Sequence, residues 1–424
     1  MTEDTIHCRA CVVGGGPAGM MLGLLLARAG IEVAVLEKHA DFLRDFRGDT
    51  VHPSTLELLH ELGLIEAFLA RPHQEARSVS AEIGTERFAI ADFSHLPVRS
   101  KFIALMPQWD FLDLLAQAAK RYPGFRLLME CEARDLLIED GRVVGIAAGG
   151  ASGARTIRAD LVVAADGRRS RMRERAGLSV IDVGAPIDVL WFRLPRSETD
   201  PDQPLGRIDP GQFTVLINRG AYFQCALVIP KDGFAGIRAE GLSAFQSRVA
   251  RAAPLLADRV GAIGSFEDVK LLTVTIDRLA RWHRPGLLCI GDAAHAMSPV
   301  GGIGINLAVQ DAVAAANLLA GPLAAPGPVP DAALAAVERR RAPPTRLTQA
   351  LQVLVQDRII MRTLTRRERM RVPLALRLLS RFPRLRRLPA RIIGLGFRPE
   401  HVATPERPTP RSSSLETSAA SRME

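Results

Sequence analysis

The sequence predicts an α/β fold: a Rossmann-like dinucleotide-binding domain (GxGxxG), an antiparallel β-sheet inserted into it, and a helical C-terminal region. Three observations predict it. Near the N-terminus the turn Gly14-x-Gly16-x-x-Gly19 joins an apolar strand to an apolar helix. Between 188 and 229 the runs "DVLWFRLP", "FTVLINRG" and "YFQCALVIP" are separated by turn-forming Pro, Gly and Asp, the pattern of an antiparallel sheet. From Leu287 a buried strand, a glycine-rich loop and a long apolar helix restore the α/β pattern.

In chain order, a strand over Ala10 to Val13, a helix over Met20 to Ala29 and a strand over Glu32 to Leu36 make a βαβ unit. Helices are expected over Ser54 to Leu62 and Trp109 to Arg121. Strands are expected over Phe125 to Met129, Arg142 to Ala147, Leu161 to Ala165 and Leu287 to Ile290, and a helix over Ile305 to Leu319. Ala320 to Pro330, rich in Pro, Ala and Gly, reads as a linker. The dinucleotide-binding domain would then be assembled from 1–75, 100–180 and 280–345, and the β-rich domain from 76–99 and 181–279. A basic helical region, 346–402, and a disordered tail, 403–424, would follow.

The 424 residues, 47% hydrophobic and 24% charged, suffice for a substantial core. No basic segment precedes an apolar run at the N-terminus, and every apolar run is cut by Gly or Pro short of the roughly 18 residues a membrane span needs. The expectation is a cytoplasmic protein. The net charge of +9 is regional: Arg358 to Arg398 holds thirteen arginines and one acid, so this segment carries +12 and the remainder −3. With 5% aromatics and no aromatic-basic interleaving, nucleic-acid binding is not expected. Cys8 and Cys11 form a CxxC, but in a strand residues three apart face opposite ways, so no metal site is expected.

The glycine turn carries the chemistry of pyrophosphate binding. Gly14 permits the tight turn, Gly16 lets backbone approach the phosphates, and Gly19 lets helix pack on strand. Unpaired N–H groups, with Ala18 in the first turn, face the anion. Glu37, closing the second strand beside Lys38, supplies a carboxylate for ribose hydroxyls and disfavours a 2′-phosphate.

With these residues in view, the sequence resembles the class A FAD-dependent aromatic monooxygenases, whose fold is that of p-hydroxybenzoate hydroxylase. Four stretches carry the resemblance in family order: "VVGGGPAGMMLGLLLARAGIEVAVLEKH", "FRGDTVHPSTLELLHELGL", "ADLVVAADGRRSRMRERAGL" and "CIGDAAHAMSPVGGIGINLAVQDA". The resemblance implies FAD as resident cofactor and NADH or NADPH as transient donor, a choice it leaves open. It implies that Arg47 and Gln108 reach FAD, that Asp166 and Gly167 serve FAD and the donor, and that Ile305 and Asn306 present backbone to the flavin. Asp292 is read as a ribityl ligand, with a helix cap as the alternative. Pro299 would stiffen the loop, and Gly301, Gly302 and Gly304 would allow flavin close approach.

The implied reaction transfers one atom of O2, through a flavin C4a-hydroperoxide, to an aromatic or otherwise electron-rich small molecule, hydroxylating or epoxidising it. His52 and Tyr222 are the candidates for handling a substrate proton, Tyr222 having sheet packing as its alternative. Trp191, Phe213, Phe223 and Gln224 are candidates for lining the substrate pocket, and His295 is expected to pack rather than to catalyse. Two rival functions remain open at this stage: an FAD-dependent reductase or dehydrogenase of a prenyl or polyene substrate, and a non-catalytic flavin-binding protein at a membrane surface. From Leu374 onward leucines and arginines follow helical spacing broken by Pro383 and Pro389, so short helices packed on the FAD domain are expected, with peripheral membrane contact as a further expectation.

Overall fold

The computed structural model describes residues 4–43, 50–84, 86–150, 153–201, 205–365 and 374–407. Its centre is an eight-stranded sheet. Strands Val33–Leu36, Asp4–Val13, Gly153–Ala164 and Leu287–Cys289 are neighbours in that order and all parallel, with Phe125–Leu128 parallel to Val33–Leu36 at one edge. Their apolar residues are buried on both faces, as a covered parallel sheet requires. The register aligns their carboxyl ends: Val13 pairs with Leu36 and Ala164, and Ala164 with Cys289. Everything that follows these strand ends therefore lands along one edge, where open α/β sheets bind ligands.

The helix Pro17–Arg28 covers one part of this sheet and the core helix Gly304–Ala324 packs beside it. The core helix runs past the expected end at Leu319 and through Pro322, which shortens the linker. It belongs to the helical segment Val300–Ala324, which is long and apolar enough to cross a membrane, contrary to the expectation that no such run exists. In the fold 83% of its most apolar window is buried, because it is the core of the dinucleotide domain.

The second sheet has seven strands in the order Lys270–Leu272, Ile187–Pro195, Tyr222–Pro230, Gln212–Asn218, Leu205–Asp209, Ser78–Ile83 and Glu86–Asp92. Alternation gives it two apolar faces. Leu190, Phe192, Phe223, Cys225 and Leu227 pack beneath the helices Phe234–Ala239 and Leu242–Ala252. The opposite face carries Val189, Trp191, Phe213, Val215, Ile217, Ala226 and Val228 toward Val300, Ile393 and the C-terminal helices.

Those helices, Leu374–Arg381 and Arg387–Leu395, lie chiefly against the sheet strand Glu86–Asp92 rather than on the dinucleotide domain alone. The expected tail is also corrected at its start, because residues 403–407 are tied down. Ala403 N donates to Asn317 Oδ1 (2.9 Å), Arg28 donates to the Thr404 carbonyl (2.6 Å), and Tyr122 Oη donates to Glu406 (2.9 Å). Residues 408–424 lie outside the described residues.

Candidate active site

The sheet register brings the cofactor motifs together. The Gly14 N–H donates to Leu36 O (2.8 Å), Ala165 N–H to Val13 O (2.8 Å) and Ile290 N–H to Ala164 O (3.0 Å). Three loops distant in sequence thus leave one sheet edge side by side. Gly14 adopts φ +109°, and a Cβ there would lie 2.4 Å from Ala165 O, so no other residue fits between the loops at Gly14 and Ala165. A Cβ on Gly19 would meet Gly14 O at 1.9 Å, which holds helix against turn.

Gly16 and Gly304 differ from these, since nothing lies within 4 Å of the Cβ either would carry. Gly16 is the N-cap of Pro17–Arg28 and Gly304 opens the core helix; neither helix start has a side-chain cap. Ala18 and Ala308 both touch the position a Gly291 Cβ would take, at 3.1 and 3.3 Å, so the two uncapped helices converge across Gly291. Open backbone at two helix N-termini is a cradle for an anionic, polar-edged ligand. This fits FAD, with Gly16 at the pyrophosphate and Gly304 toward the flavin.

Glu37 is buried at the tip of its strand and accepts from Gly15 N–H and His39 N–H, both at 3.1 Å, which aims the carboxylate beside the glycine turn. Lys38 next to it is exposed. Arg47 lies outside the described residues. Gln108 is half-buried at the first position of Gln108–Ala119. Asp292 follows the Leu287–Cys289 strand and accepts from Arg168 at 3.4 Å, each side chain about one-third exposed (31% and 34%). The pair joins the third and fourth motifs at an open edge.

Asp166 departs from its expected role. Its carboxylate accepts from Ser170 Oγ (2.5 Å) and Met172 N–H (3.1 Å), so the side chain caps the short helix Arg171–Arg175. Burial pushes its pKa up, and those hydrogen bonds oppose the shift. Only its backbone remains beside Gly14, while Gly167, at φ +84°, faces open space. Asn306 is likewise committed: its Oδ1 accepts from Ser54 and Thr55 hydroxyls, both at 2.7 Å, leaving the backbone of Ile305 and Asn306 at the helix start.

The loop that enters the core helix is stitched in place before its glycines begin. Gln352 accepts from Ser298 N–H (3.1 Å) and donates to the carbonyls of Ser298 and Val300 (both 3.0 Å), while Gln349 donates to Ala296 O (3.1 Å). Both glutamines project from the helix Asp331–Val355. Pro299 is half-buried at the start of the single 3-10 turn Val300–Gly302. Thr50 Oγ1 donates to Gly302 O (2.8 Å) and would clash with a Cβ at 302.

Beneath the loop lies a buried network that sequence reading missed. Asp311, fully buried, accepts from Gly291 N–H (3.1 Å), His295 Nε2 (2.5 Å) and Arg341 Nε (2.9 Å). Arg341 continues to Glu400 (3.2 Å), which pairs with Arg340 (2.7 Å). The neighbouring cations hold the Asp311 carboxyl below its ordinary range although burial opposes this. An acid in the middle of an apolar helix was the available signal. His295 therefore packs and bonds, under Trp282, as expected.

Of the substrate candidates, Trp191 and Phe213 are half-buried on the sheet face turned to Val300, and Gln224 lies buried on the same face. Phe223 does not join them. Strand alternation turns it to the opposite face, where it packs with Phe192, Phe245 and Leu227. Tyr222 is also displaced: it pairs with Pro195, four residues along from Trp191 or about 13 Å, and carries Arg193 over its ring at 5.1 Å. His52 is fully buried, and since the Ile393 carbonyl can only accept, its Nδ1 donates there at 2.7 Å. Burial pulls its pKa down, while the carbonyls of Ile393 and Gly302 act against this, so the imidazole is neutral at pH 7. Its position links the C-terminal helix to the glycine loop and gives it no exposed surface. No cluster of His, Cys, Asp and Glu that could hold a metal ion occurs among the described residues.

Comparison with known proteins agrees with this geometry. A family model described as "FAD binding domain" matches residues 7–350. The 6-methylpretetramide 4-monooxygenase of Streptomyces rimosus is 34% identical over 394 residues, covering 92% of this chain and 93% of that protein. The crystal structure of p-nitrophenol 4-monooxygenase from Pseudomonas putida superposes with a TM-score of 0.74 at 20% identity, covering 91% and 97% of the two chains. Anhydrotetracycline hydroxylase from Streptomyces rimosus gives 0.71 at 23% identity, covering 93% and 77%. At those identities the two structures speak to the fold, whereas the family match and the 34% relative speak to kinship. On the family match and that relative, this chain belongs to the FAD-binding family of flavin monooxygenases, with FAD as cofactor and NAD(P)H as the usual electron donor.

Proposed function

We propose that this FAD-dependent monooxygenase hydroxylates an electron-rich ring of a polycyclic aromatic polyketide in the cytoplasm, taking electrons from NADH or NADPH and oxygen from O2. The relative named for 6-methylpretetramide, aligned over nearly all of both chains, supports the substrate class. One observation carries the reading in this molecule. Trp191 Nε1 and Gln224 Nε2, two donors on the sheet face turned to the glycine loop, are buried without a hydrogen-bond partner among the described residues. An unmet buried donor costs about 1–3 kcal/mol, a cost that substrate carbonyl or phenolate oxygens would remove.

Bound FAD supplies the electron transfer and oxygen activation. The chain's residues do the rest. The helix starts at Gly16 and Gly304 would hold the cofactor's negative charge, Glu37 would accept from ribose hydroxyls, and Asp292, whose Arg168 contact is long, would accept from a further cofactor hydroxyl. Trp191 and Gln224 orient the ring, while Phe213, Val215, Val300 and Ile393 keep water from it. His52, through its Nδ1–H on Ile393, is proposed as a positioning residue that holds this helix to the loop.

The test is substrate-stimulated NAD(P)H oxidation by the yellow holoenzyme under labelled oxygen. Tetracyclic phenols should stimulate oxidation and gain one labelled atom. Stimulation by monocyclic phenols alone would remove the polyketide reading, and oxidation without incorporation would remove the monooxygenase.

A further inference from the structure

The helices Leu374–Arg381 and Arg387–Leu395 have inner faces the site accounts for and outer faces it does not. Inside, Leu376 packs near Phe213 and Ile208, and Ala390, Ile393 and Leu395 pack near Trp191 and Ile217, so the two helices cover the sheet face that carries the proposed substrate residues. Outside, Leu374 (72%), Leu388 (67%), Phe382 (53%), Leu385 and Leu378 are exposed in one continuous stretch of chain. Arg377, Arg381, Arg384, Arg387 and Arg391 are exposed among them, and 374–399 contains no Asp or Glu. None of these five arginines has an ion pair among the described residues. Arg386 is different, since it turns inward to donate to the carbonyls of Leu379 and Ser380 and faces Asp92.

Exposed leucines and phenylalanine flanked by unpaired arginines are complementary to a surface that is apolar beneath and anionic above. A bilayer with anionic headgroups has that layered chemistry, and it accepts an extended strip without a matching pocket. We propose that the Leu374–Arg391 surface docks this enzyme on anionic lipid membranes. The proposal goes beyond the reaction, and a failure of the substrate assay would leave it standing.

The experiment is co-sedimentation of the full-length, FAD-loaded protein with vesicles of phosphatidylglycerol and phosphatidylcholine, against phosphatidylcholine alone, at low and high salt. Sedimentation with the anionic vesicles only, weakened by salt, is expected. Each arginine reversed in the series Arg377→Glu, Arg384→Glu and Arg387→Glu should lower the partition coefficient at least about five-fold, and Leu378→Ser with Leu388→Ser about ten-fold or more. All these side chains are exposed, so flavin content and thermal midpoint should not change, and they serve as the folding control. Absence of vesicle binding, equal binding to neutral vesicles, or charge variants that bind like the parent would each overturn the proposal. A concentration-dependent dimer lost in the leucine variants, without vesicle binding, would overturn it in favour of a second copy of the chain. Capture of an acidic protein alone would overturn it in favour of a protein partner.

Discussion

Asp311 offers the sharpest test of how this site is held. Its carboxylate meets the buried Arg341 and His295 and receives the Gly291 N–H, with both the Asp311 and Arg341 side chains at most 1% exposed. Asp311→Ala leaves the guanidinium away from water with Glu400 and the Arg398 carbonyl as its remaining partners, and breaking a buried pair of this kind costs about 3–5 kcal/mol. At about 2.1 cal/mol/K per residue, the 424 residues give an unfolding entropy of about 0.9 kcal/mol/K, so the midpoint should fall by about 3–6 °C. The Gly291 N–H is released as well, so FAD should dissociate more readily. Scanning calorimetry with flavin fluorescence reads both. Adding Arg341→Met removes the stranded charge and should recover part of the loss. A midpoint within 1 °C of the parent, or a double variant less stable than Asp311→Ala, would refute the claim that this network supports the Gly-Asp loop. The pH dependence has a defined sign. Since the folded pKa is depressed below 3.8, the Asp311 contribution is complete above that value and is lost as pH falls through the folded pKa.

Other outcomes follow from the same geometry. Gly16→Val should give a folded, colourless protein, because its side chain fills the open cradle at the first helix start; retained yellow colour after desalting would show that the pyrophosphate lies elsewhere. Trp191→Phe keeps an aromatic side chain and deletes the unmatched donor, so KM for a carbonyl-bearing substrate should rise about five- to ten-fold without loss of the folded holoenzyme; an unchanged KM places the substrate on another face. His52 is held neutral with its pKa below 6.5, so its contribution to stability is complete above that pH and falls by up to about 1.4 kcal/mol per unit as pH drops toward the folded pKa. His52→Gln should flatten that slope in urea titrations and leave the ionisations of kcat/KM in place, whereas loss of an ionisation from kcat/KM would make His52 a proton acceptor in the reaction.

Local patterns made a good part of this fold legible. The turn at Gly14 to Gly19, Glu37 and the Gly-Asp loop were readable because a turn, a strand end and a helix start are set by residues adjacent in sequence. The helix Pro17–Arg28 and the strands Val33–Leu36 and Leu287–Cys289 lie within a few residues of their apolar runs for the same reason. Helix ends were less legible: the core helix continues to Ala324 because burial against the sheet outweighs Gly321 and Pro322.

Facing and partnership were decided by tertiary structure alone. Residue type marked Phe223 for the pocket and Tyr222 for handling a substrate proton, but the registers Leu194 to Phe223 and Pro195 to Tyr222 turn one to the far face and carry the other to the sheet end. Asp166 looked like a cofactor ligand until the chain brought Ser170 and the Met172 N–H to its carboxylate. Asp311, Arg341 and Glu400 lie up to 89 residues apart in sequence, and no periodicity links them; only the packing of the core helix, the long helix after it and the segment around Glu400 makes them one charge network. Sequence by itself determined which cofactor this protein holds, since the stretches that mark it are short and local. Which side chains meet the substrate and support the loop depended on contacts between distant segments, and those exist only once the sheets have set their register.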